Sequence, residues 1–151
     1  MKLINGIFSR QTAGYDVLRL TLCLLLSVHG WFRFYEGSLP VLGQILESRG
    51  FPYGLLLAWL VNLAETGGTL LLALRIFATP ISLILAAIYA TGIVLFHWQN
   101  GFFVVGPGVG GWEYSALLVV CLLITAGANS TWARLVEPNH SFKPKPLRGS
   151  T

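Results

Sequence analysis

One acidic residue, Glu65, lies near the middle of an apolar segment that is long enough to cross a lipid bilayer. A charged side chain at that depth costs about 2.5–3.5 kcal/mol on insertion scales, so its presence is a hypothesis of function by default. Asn62 and Thr69 lie three and four residues away and share its helical face. Ala58 and Gly68 flank that face, and small residues favour close packing of helices. We therefore interpret Glu65 as a candidate catalytic residue and Asn62 as a candidate cofactor-binding residue.

A second group of polar residues is predicted near the outer membrane surface. His29 ends the first apolar segment, His97 ends the third and Glu113 begins the fourth, with Tyr89 two turns below His97. Such groups could bind a metal, ligate haem or relay protons. No HxxxH or ExxH pair includes them, so we predict no metal site and disfavour haem. His29 and His97 are candidate catalytic residues, and Tyr89 and Glu113 are candidate cofactor-binding residues. The alternative is that His97 is an interfacial residue and that Glu113 favours a helix start.

Arg19 is the third candidate site, because it shares one face of the first segment with His29 and Arg33. Two interpretations are open. Its long side chain either pairs with Glu65 or extends to the inner lipid headgroups. We include Arg19 among the candidate cofactor-binding residues.

These side chains require helices that hold them in a membrane. The chain has 151 residues, of which 54% are hydrophobic and 11% charged, and its mean hydropathy is +0.68. Four segments reach the roughly 20 residues that a bilayer-spanning helix needs. They cover about residues 15–33, 53–74, 77–98 and 112–135. The predicted fold class is therefore all-α, an integral membrane four-helix bundle.

Residues 34–52 contain a further helical pattern. Its apolar members are Leu39, Leu42, Ile45 and Leu46. We expect a short amphipathic helix at the outer interface, between the first and second spans. Residues 1–136 are predicted to form one four-span domain, and residues 137–151 a basic, mobile cytoplasmic tail.

The basic residues predict the orientation of the four spans. Only Arg33 and Arg49 lie on one side. The other side carries Lys2, Arg10, Arg75, Arg134, Lys143, Lys145 and Arg148. This bias places both termini in the cytoplasm, and it attributes the net charge of +4 to contact with membrane lipid rather than nucleic acid.

Two classes of alternative are disfavoured. Cys23 and Cys121 lie in apolar segments without a CxxC pair, which indicates inert packing rather than thiol–disulfide chemistry. The first apolar segment ends in His29-Gly-Trp-Phe-Arg33 rather than in a small-x-small cleavage site. We therefore expect it to stay in the mature protein.

Several short motifs follow one another in a characteristic order between about residues 14 and 130. They are Arg19, His29-Gly30, Gly50-Phe-Pro52, Glu65-Thr-Gly-Gly68, Thr79-Pro80, His97-Trp-Gln-Asn-Gly-Phe-Phe103 and Trp112-Glu113-Tyr114. In these motifs the chain resembles the DoxX family of small bacterial membrane proteins. The resemblance implies a four-helix bundle in the bacterial inner membrane. It also implies a link to respiratory sulfur oxidation, as a subunit of a thiosulfate:quinone oxidoreductase, or to redox-stress complexes.

Three functions are therefore open. The first is a quinone-interacting subunit of a membrane oxidoreductase, with a redox protein partner that supplies electrons, so that the chain is not active alone. The second is a non-catalytic anchor or assembly subunit for a redox or stress-response partner. A small transporter is less favoured, because no internal repeat or pair of broken helices is evident. The sequence also leaves a homo-oligomer open.

Overall fold

The computed structural model describes residues 13–106 and 108–129, and these residues form an all-α membrane bundle without strands. Its helices are α1 (Ala13–Tyr35), α2 (Leu39–Ser48), α3 (Gly54–Ala73), α4 (Ala78–Asn100) and α5 (Glu113–Ala128). The predicted tail at residues 137–151 lies outside the described residues.

Three of these helices, α1, α3 and α4, are long and apolar enough to cross a membrane. Their ends lie within two residues of the ends predicted for the first three spans. Helix α5 is apolar but shorter, with 16 residues. The predicted end of the fourth span, residues 130–135, lies outside the described residues. Most of the basic residues that predict the orientation also lie outside them, so the cytoplasmic position of the termini stays a prediction.

The surface of the bundle is strongly apolar. The interior is formed by leucines such as Leu22, Leu26, Leu72, Leu85 and Leu122. Large apolar side chains also point outward, among them Leu24, Val28, Leu60, Leu63, Leu70, Leu117 and Ile124. Lipid tails solvate such a surface, whereas water does not.

Helix α2 packs against the first turn of α3, where two glycines touch. A Cβ on Gly54 would lie 2.1 Å from the carbonyl oxygen of Gly43. The backbone N–H of Gly54 also donates to Glu47 Oε1, at 3.1 Å. Leu39 and Leu46 of α2 are buried, as an amphipathic helix requires. We call this end of the bundle, where α1 ends and α3 begins, the α2 end; its position at an outer membrane surface stays a prediction.

The opposite end carries the tight connection between α3 and α4, and we call it the turn end. Arg75 and Phe77 have φ angles of 61° and 50° in this connection, which is the left-handed region. Pro80 then lies in the first turn of α4, where a missing N–H leaves no helical hydrogen bond unmade.

Two helices contain a π-helical turn, at Ala64–Gly68 in α3 and at Ile93–His97 in α4. Such turns are rare and are found frequently at functional sites. Here they contain Glu65 and His97, two of the three residues that the sequence indicates as candidate catalytic groups.

Helices α1 and α3 are closest at Gly30. A Cβ added there would lie 2.9 Å from Glu65 Cβ and 2.9 Å from Thr66 Cγ2. We expect Gly30→Ala to lower the free energy of unfolding by about 1–3 kcal/mol, because overpacking forces the two helices apart. The measurement is unfolding in detergent mixtures with increasing SDS.

Gly14→Ala in the same helix is the matched control, because among residues 13–106 and 108–129, apart from the backbone of its own helix, no atom lies within 4 Å of a Cβ at that position. Its stability should be equal to or above that of the native protein, since alanine favours helix formation. Equal stabilities of the two variants would contradict the close contact at Gly30.

Candidate functional site

An ion pair between α1 and α3 forms the centre of the candidate site. Arg33 Nη1 lies 2.6 Å from Glu65 Oε2. The side chain of Glu65 is 2% exposed and that of Arg33 is 16% exposed. Glu65 therefore faces the interior of the bundle, as its helical face predicts, and its charge is compensated by a cation. The nearby contact at Gly30 brings the two helices close enough for the pair to form.

The backbone around Glu65 is supported by threonine side chains. Thr66 Oγ1 donates to the carbonyl oxygen of Asn62 at 2.8 Å, and Thr69 Oγ1 donates to that of Glu65 at 2.7 Å. In a π turn the regular helical hydrogen bonds are disturbed, and hydroxyl groups can bond the carbonyls that are left. Thr69 of the predicted polar face, together with Thr66, thus supports the π turn.

Glu65 and Arg33 line a cavity of about 600 Å³ at the α2 end. All five helices and the loop before α5 contribute to it. Its apolar lining includes Leu25, Leu26, Leu42, Leu46, Leu57, Val61, Ile84, Ile88, Leu95, Phe96 and Leu118. Its polar lining includes His29, Arg33, Glu65, Tyr89, His97, Tyr114 and Ser115. This volume and this mixture are typical of small-molecule sites.

Two predicted residues, His29 and Tyr89, lie beside the ion pair. Their ring centroids are 6.4 Å apart, and the Tyr89 hydroxyl interacts with the Glu65 carboxylate. The cavity therefore brings together the carboxylate, a guanidinium, an imidazole and a phenol. These groups can donate hydrogen bonds to a ligand and carry protons.

His97 lines the same cavity and also anchors the loop before α5. Its Nδ1 lies 2.8 Å from the carbonyl oxygen of Gly110. Because a carbonyl only accepts, Nδ1 must carry the proton, and Nε2 is then the acceptor of the neutral ring. The imidazole has a fixed tautomer and a fixed orientation.

Glu113 does not line the cavity, although it was predicted at the same level. Its Oε1 accepts a hydrogen bond from the backbone N–H of Val104 at 3.0 Å, so it holds the loop. Among residues 13–106 and 108–129, no group of three or more His, Cys, Asp or Glu side chains is placed to hold a metal.

Arg19 belongs to a different cluster, at the turn end. It is fully buried, pairs with Asp16 at 3.3 Å, and donates through Nη1 to the carbonyl oxygens of Leu72 and Ala73. Arg75 also pairs with Asp16. Neither of the two interpretations left open for Arg19 describes the structure, because Arg19 pairs with Asp16 rather than with Glu65 and its side chain is buried rather than extended to the headgroups. The carbonyls at the C-terminal end of a helix carry partial negative charge, and those of α3 attract the guanidinium; the carbonyl of Leu72 also accepts from the backbone N–H of Arg75, at 3.1 Å.

Two residues of these clusters, Asp16 and Arg33, are absent from the candidates that the sequence indicates, and one candidate, Asn62, lies elsewhere. The signal for Asp16 is its spacing of three residues from Arg19, which is typical of a helical ion pair. Arg33 is predicted at the outer surface, whereas the structure pairs it with Glu65. Asn62 faces a small groove on the other side of the α1–α3 contact, not the cavity.

The DoxX family model matches residues 14–98, which is more than half of the chain and contains Glu65 with its partner Arg33, His29, Tyr89 and His97. The cluster around Asp16 also lies within the match, whereas α5 lies beyond it. No curated protein and no solved structure matches the chain. The motifs in α1, α3 and α4 and the match of the family model agree, and the chain therefore belongs to the DoxX family of membrane proteins.

Proposed function

We propose that this DoxX-family protein is a quinone-binding subunit of a membrane redox complex. The observation that carries the proposal is the cavity of about 600 Å³, in which apolar walls surround a small number of polar side chains. A quinone has the complementary chemistry, because its ring and its isoprenoid tail are apolar and its two carbonyl oxygens accept hydrogen bonds.

The polar side chains are of the types that a quinone requires. Arg33 is a permanent donor, and the hydroxyls of Tyr89 and Tyr114 can donate to the ring oxygens. Reduction of the ring consumes two electrons and two protons, and each carbonyl becomes a hydroxyl. His29 and Glu65 line the cavity, and each could take up a proton from solvent and pass it to a ring oxygen.

The electrons must come from another protein. The sequence carries no flavin motif, and Cys23 and Cys121 are free thiols on separate helices. We therefore propose a redox protein as the partner, so that this chain binds quinone and supplies protons but is inactive alone.

The test is binding of decylubiquinone to the purified protein, measured by calorimetry in detergent. We expect Glu65→Gln to raise the dissociation constant at least tenfold, because it removes the charge that orients Arg33. Glutamine still offers an oxygen to Arg33, so the fold should persist. Tyr89→Phe should also weaken binding, and it leaves the ion pair intact.

Glu113→Gln is the matched control, since Glu113 holds the loop and does not line the cavity; its dissociation constant should equal that of the native protein. Circular dichroism and the thermal midpoint report the fold of each variant. Native affinity in both Glu65→Gln and Tyr89→Phe would overturn the proposal.

A second candidate function is a non-catalytic anchor for a partner protein. Its support is that both clusters link separate elements. Arg33 of α1 pairs with Glu65 of α3, and at the turn end Arg75 pairs with Asp16 while Arg19 donates to the last carbonyls of α3. In that case Glu65→Gln lowers the yield of folded protein, and Tyr89→Phe changes nothing. The lipid extract of the native protein separates the two candidates further, because a bound quinone is visible by mass spectrometry and haem would show a Soret band.

A further inference from the structure

The imidazole of His97 is held between the cavity and the loop before α5. Its Nδ1 lies 2.8 Å from the carbonyl oxygen of Gly110, and this contact requires the proton on Nδ1. Asn100 Nδ2 donates to the same oxygen at 3.2 Å. The ring belongs to the π turn of α4 and lines the cavity. Its second nitrogen, Nε2, is therefore an acceptor whenever the ring is neutral.

This acceptor is open rather than enclosed. Among residues 13–106 and 108–129, no donor bonds His97 Nε2. The same residues contain enclosed polar atoms without a partner, such as Arg19 Nε and Ser82 Oγ, and His97 Nε2 is not one of them. The nitrogen therefore keeps accessible surface, on a ring that lines the cavity. A ligand in the cavity can approach it.

Arg33 has the opposite hydrogen-bonding character and lies at the same end of the bundle. A guanidinium only donates, and Arg33 lines the same cavity. Arg33 belongs to the last turn of α1 and His97 to the last turn of α4. Both helices end at the α2 end. The cavity thus carries an obligate donor and an open, obligate acceptor at similar depth.

The other polar groups of the cavity do not distinguish a donating ligand from an accepting one. The hydroxyls of Tyr114 and Ser115 can donate or accept. The described residues give His29 a ring contact but no hydrogen bond that would fix its tautomer. The carboxylate of Glu65 is an acceptor, but a guanidinium and a phenol already interact with it.

We infer that His97 makes the cavity selective for the reduced form of its ligand, a quinol, with one hydroxyl donating to Nε2. This inference rests on the proposed function. A quinol hydroxyl can accept from Arg33 and can also donate to His97, whereas a quinone carbonyl only accepts. A bound quinone displaces water from Nε2 and leaves it without a donor, which is costly. His97 is therefore a specificity-determining residue.

This selectivity changes the redox potential of the bound ligand. Reduction consumes two electrons from the redox partner and two protons from solvent, and both carbonyls become hydroxyls. Tenfold tighter binding of the quinol than of the quinone raises the midpoint potential of the bound couple by about 30 mV. The bound quinone then accepts electrons more readily than the free quinone does.

The test compares the affinities of the native protein for decylubiquinol and decylubiquinone, by calorimetry in detergent under argon. A pH of about 8 keeps an ordinary histidine neutral. We expect the quinol to bind about tenfold tighter, the factor that a hydrogen bond to an otherwise unpaired acceptor contributes. The dimethyl ether of the quinol is the ligand control, because it has the same ring and tail but no hydroxyl. It should bind no tighter than the quinone.

His97→Asn should abolish the preference for the quinol and keep the affinity for the quinone near its native value. The amide nitrogen of asparagine can replace Nδ1 as the donor to Gly110, whereas Nε2 is lost. Asn100→Ala is the matched control, because it removes the other side-chain donor to Gly110 and leaves the imidazole in place. Its preference for the quinol should persist. Circular dichroism reports the fold of each variant.

Four results would overturn the inference and leave the proposed function intact. They are equal or tighter binding of the quinone by the native protein, binding of the dimethyl ether as tight as that of the quinol, a preference that persists in His97→Asn, and a preference lost in Asn100→Ala. The first two need no variant. Binding of neither the quinol nor the quinone would overturn the proposed function, and the inference with it.

Discussion

The Arg33→Met variant is expected to lose about 3–5 kcal/mol of its free energy of unfolding, because it leaves the Glu65 carboxylate buried and without its cation. The carboxylate is 2% exposed and the two charged atoms are 2.6 Å apart, so little water reaches the pair. The measurement is the unfolding equilibrium in detergent mixtures with increasing SDS.

The double variant Arg33→Met/Glu65→Leu should recover most of that loss, because it removes both charges and leaves apolar side chains of similar volume. Arg49→Met is the control, since Arg49 is exposed after α2, and its stability should stay within about 0.5 kcal/mol of the native value. If the double variant were as unstable as the single one, lost packing rather than an unpaired charge would be the cause.

The Arg19→Met variant should also lose about 3–5 kcal/mol of its free energy of unfolding, because a different set of contacts is removed. Arg19 is fully buried, and its removal leaves Asp16 with one cation fewer. It also removes the side-chain donor from the carbonyl oxygens of Leu72 and Ala73 at the end of α3. The carbonyl oxygen of Leu72 then keeps the backbone N–H of Arg75, at 3.1 Å. Unsatisfied carbonyls at a helix end are costly inside a membrane, where no water replaces the lost donor.

Arg75→Met is the comparison for this prediction. Arg75 also pairs with Asp16, but its side chain is 35% exposed, so we expect a loss of about 1 kcal/mol or less. Arg19→Lys should fall between the two, because lysine keeps the charge but not the planar fork. Equal losses for Arg19→Met and Arg75→Met would contradict the special position of Arg19.

The helices and the inward face of α3 could be predicted from the sequence, because both follow from strong local signals. The length of the apolar segments determines the spans. The spacing of Asn62, Glu65 and Thr69 determines the shared face. Small residues beside that face favour contact with another helix. All three polar residues are indeed buried.

The partner of Glu65 could not be predicted by counting residues from the helix ends. That count assumes that α1 and α3 end at the same level, and it places Arg33 at the surface. In the structure, α2 packs against the first turn of α3, and Arg33 reaches Glu65 from the last turn of α1. The stagger of neighbouring helices is a tertiary property that no local pattern encodes.

The sequence also does not predict which polar residues line the cavity and which line the groove. Asn62 and Glu65 share one face of α3 in a helical projection, yet they line different spaces because α1 lies between those spaces. The π turns at Glu65 and His97 have no sequence signature in this chain. Glu113 is predicted at the same level as His29 and His97, but its carboxylate accepts a hydrogen bond from the loop before α5 and does not line the cavity.

Most buried positions of α1 and α3 recur every three and four residues. They are Asp16, Arg19, Cys23, Leu26 and Gly30 in α1, where Leu22 is buried as well, and Ala58, Asn62, Glu65, Thr69 and Leu72 in α3. A repeat of about 3.5 residues is that of an antiparallel coiled-coil seam. Leucines alone would allow such a seam to slide by one heptad, about 10 Å. Sliding of α1 along α3 would break both the Arg33–Glu65 pair and the Arg75–Asp16 pair. The charges therefore select a single register for the two helices.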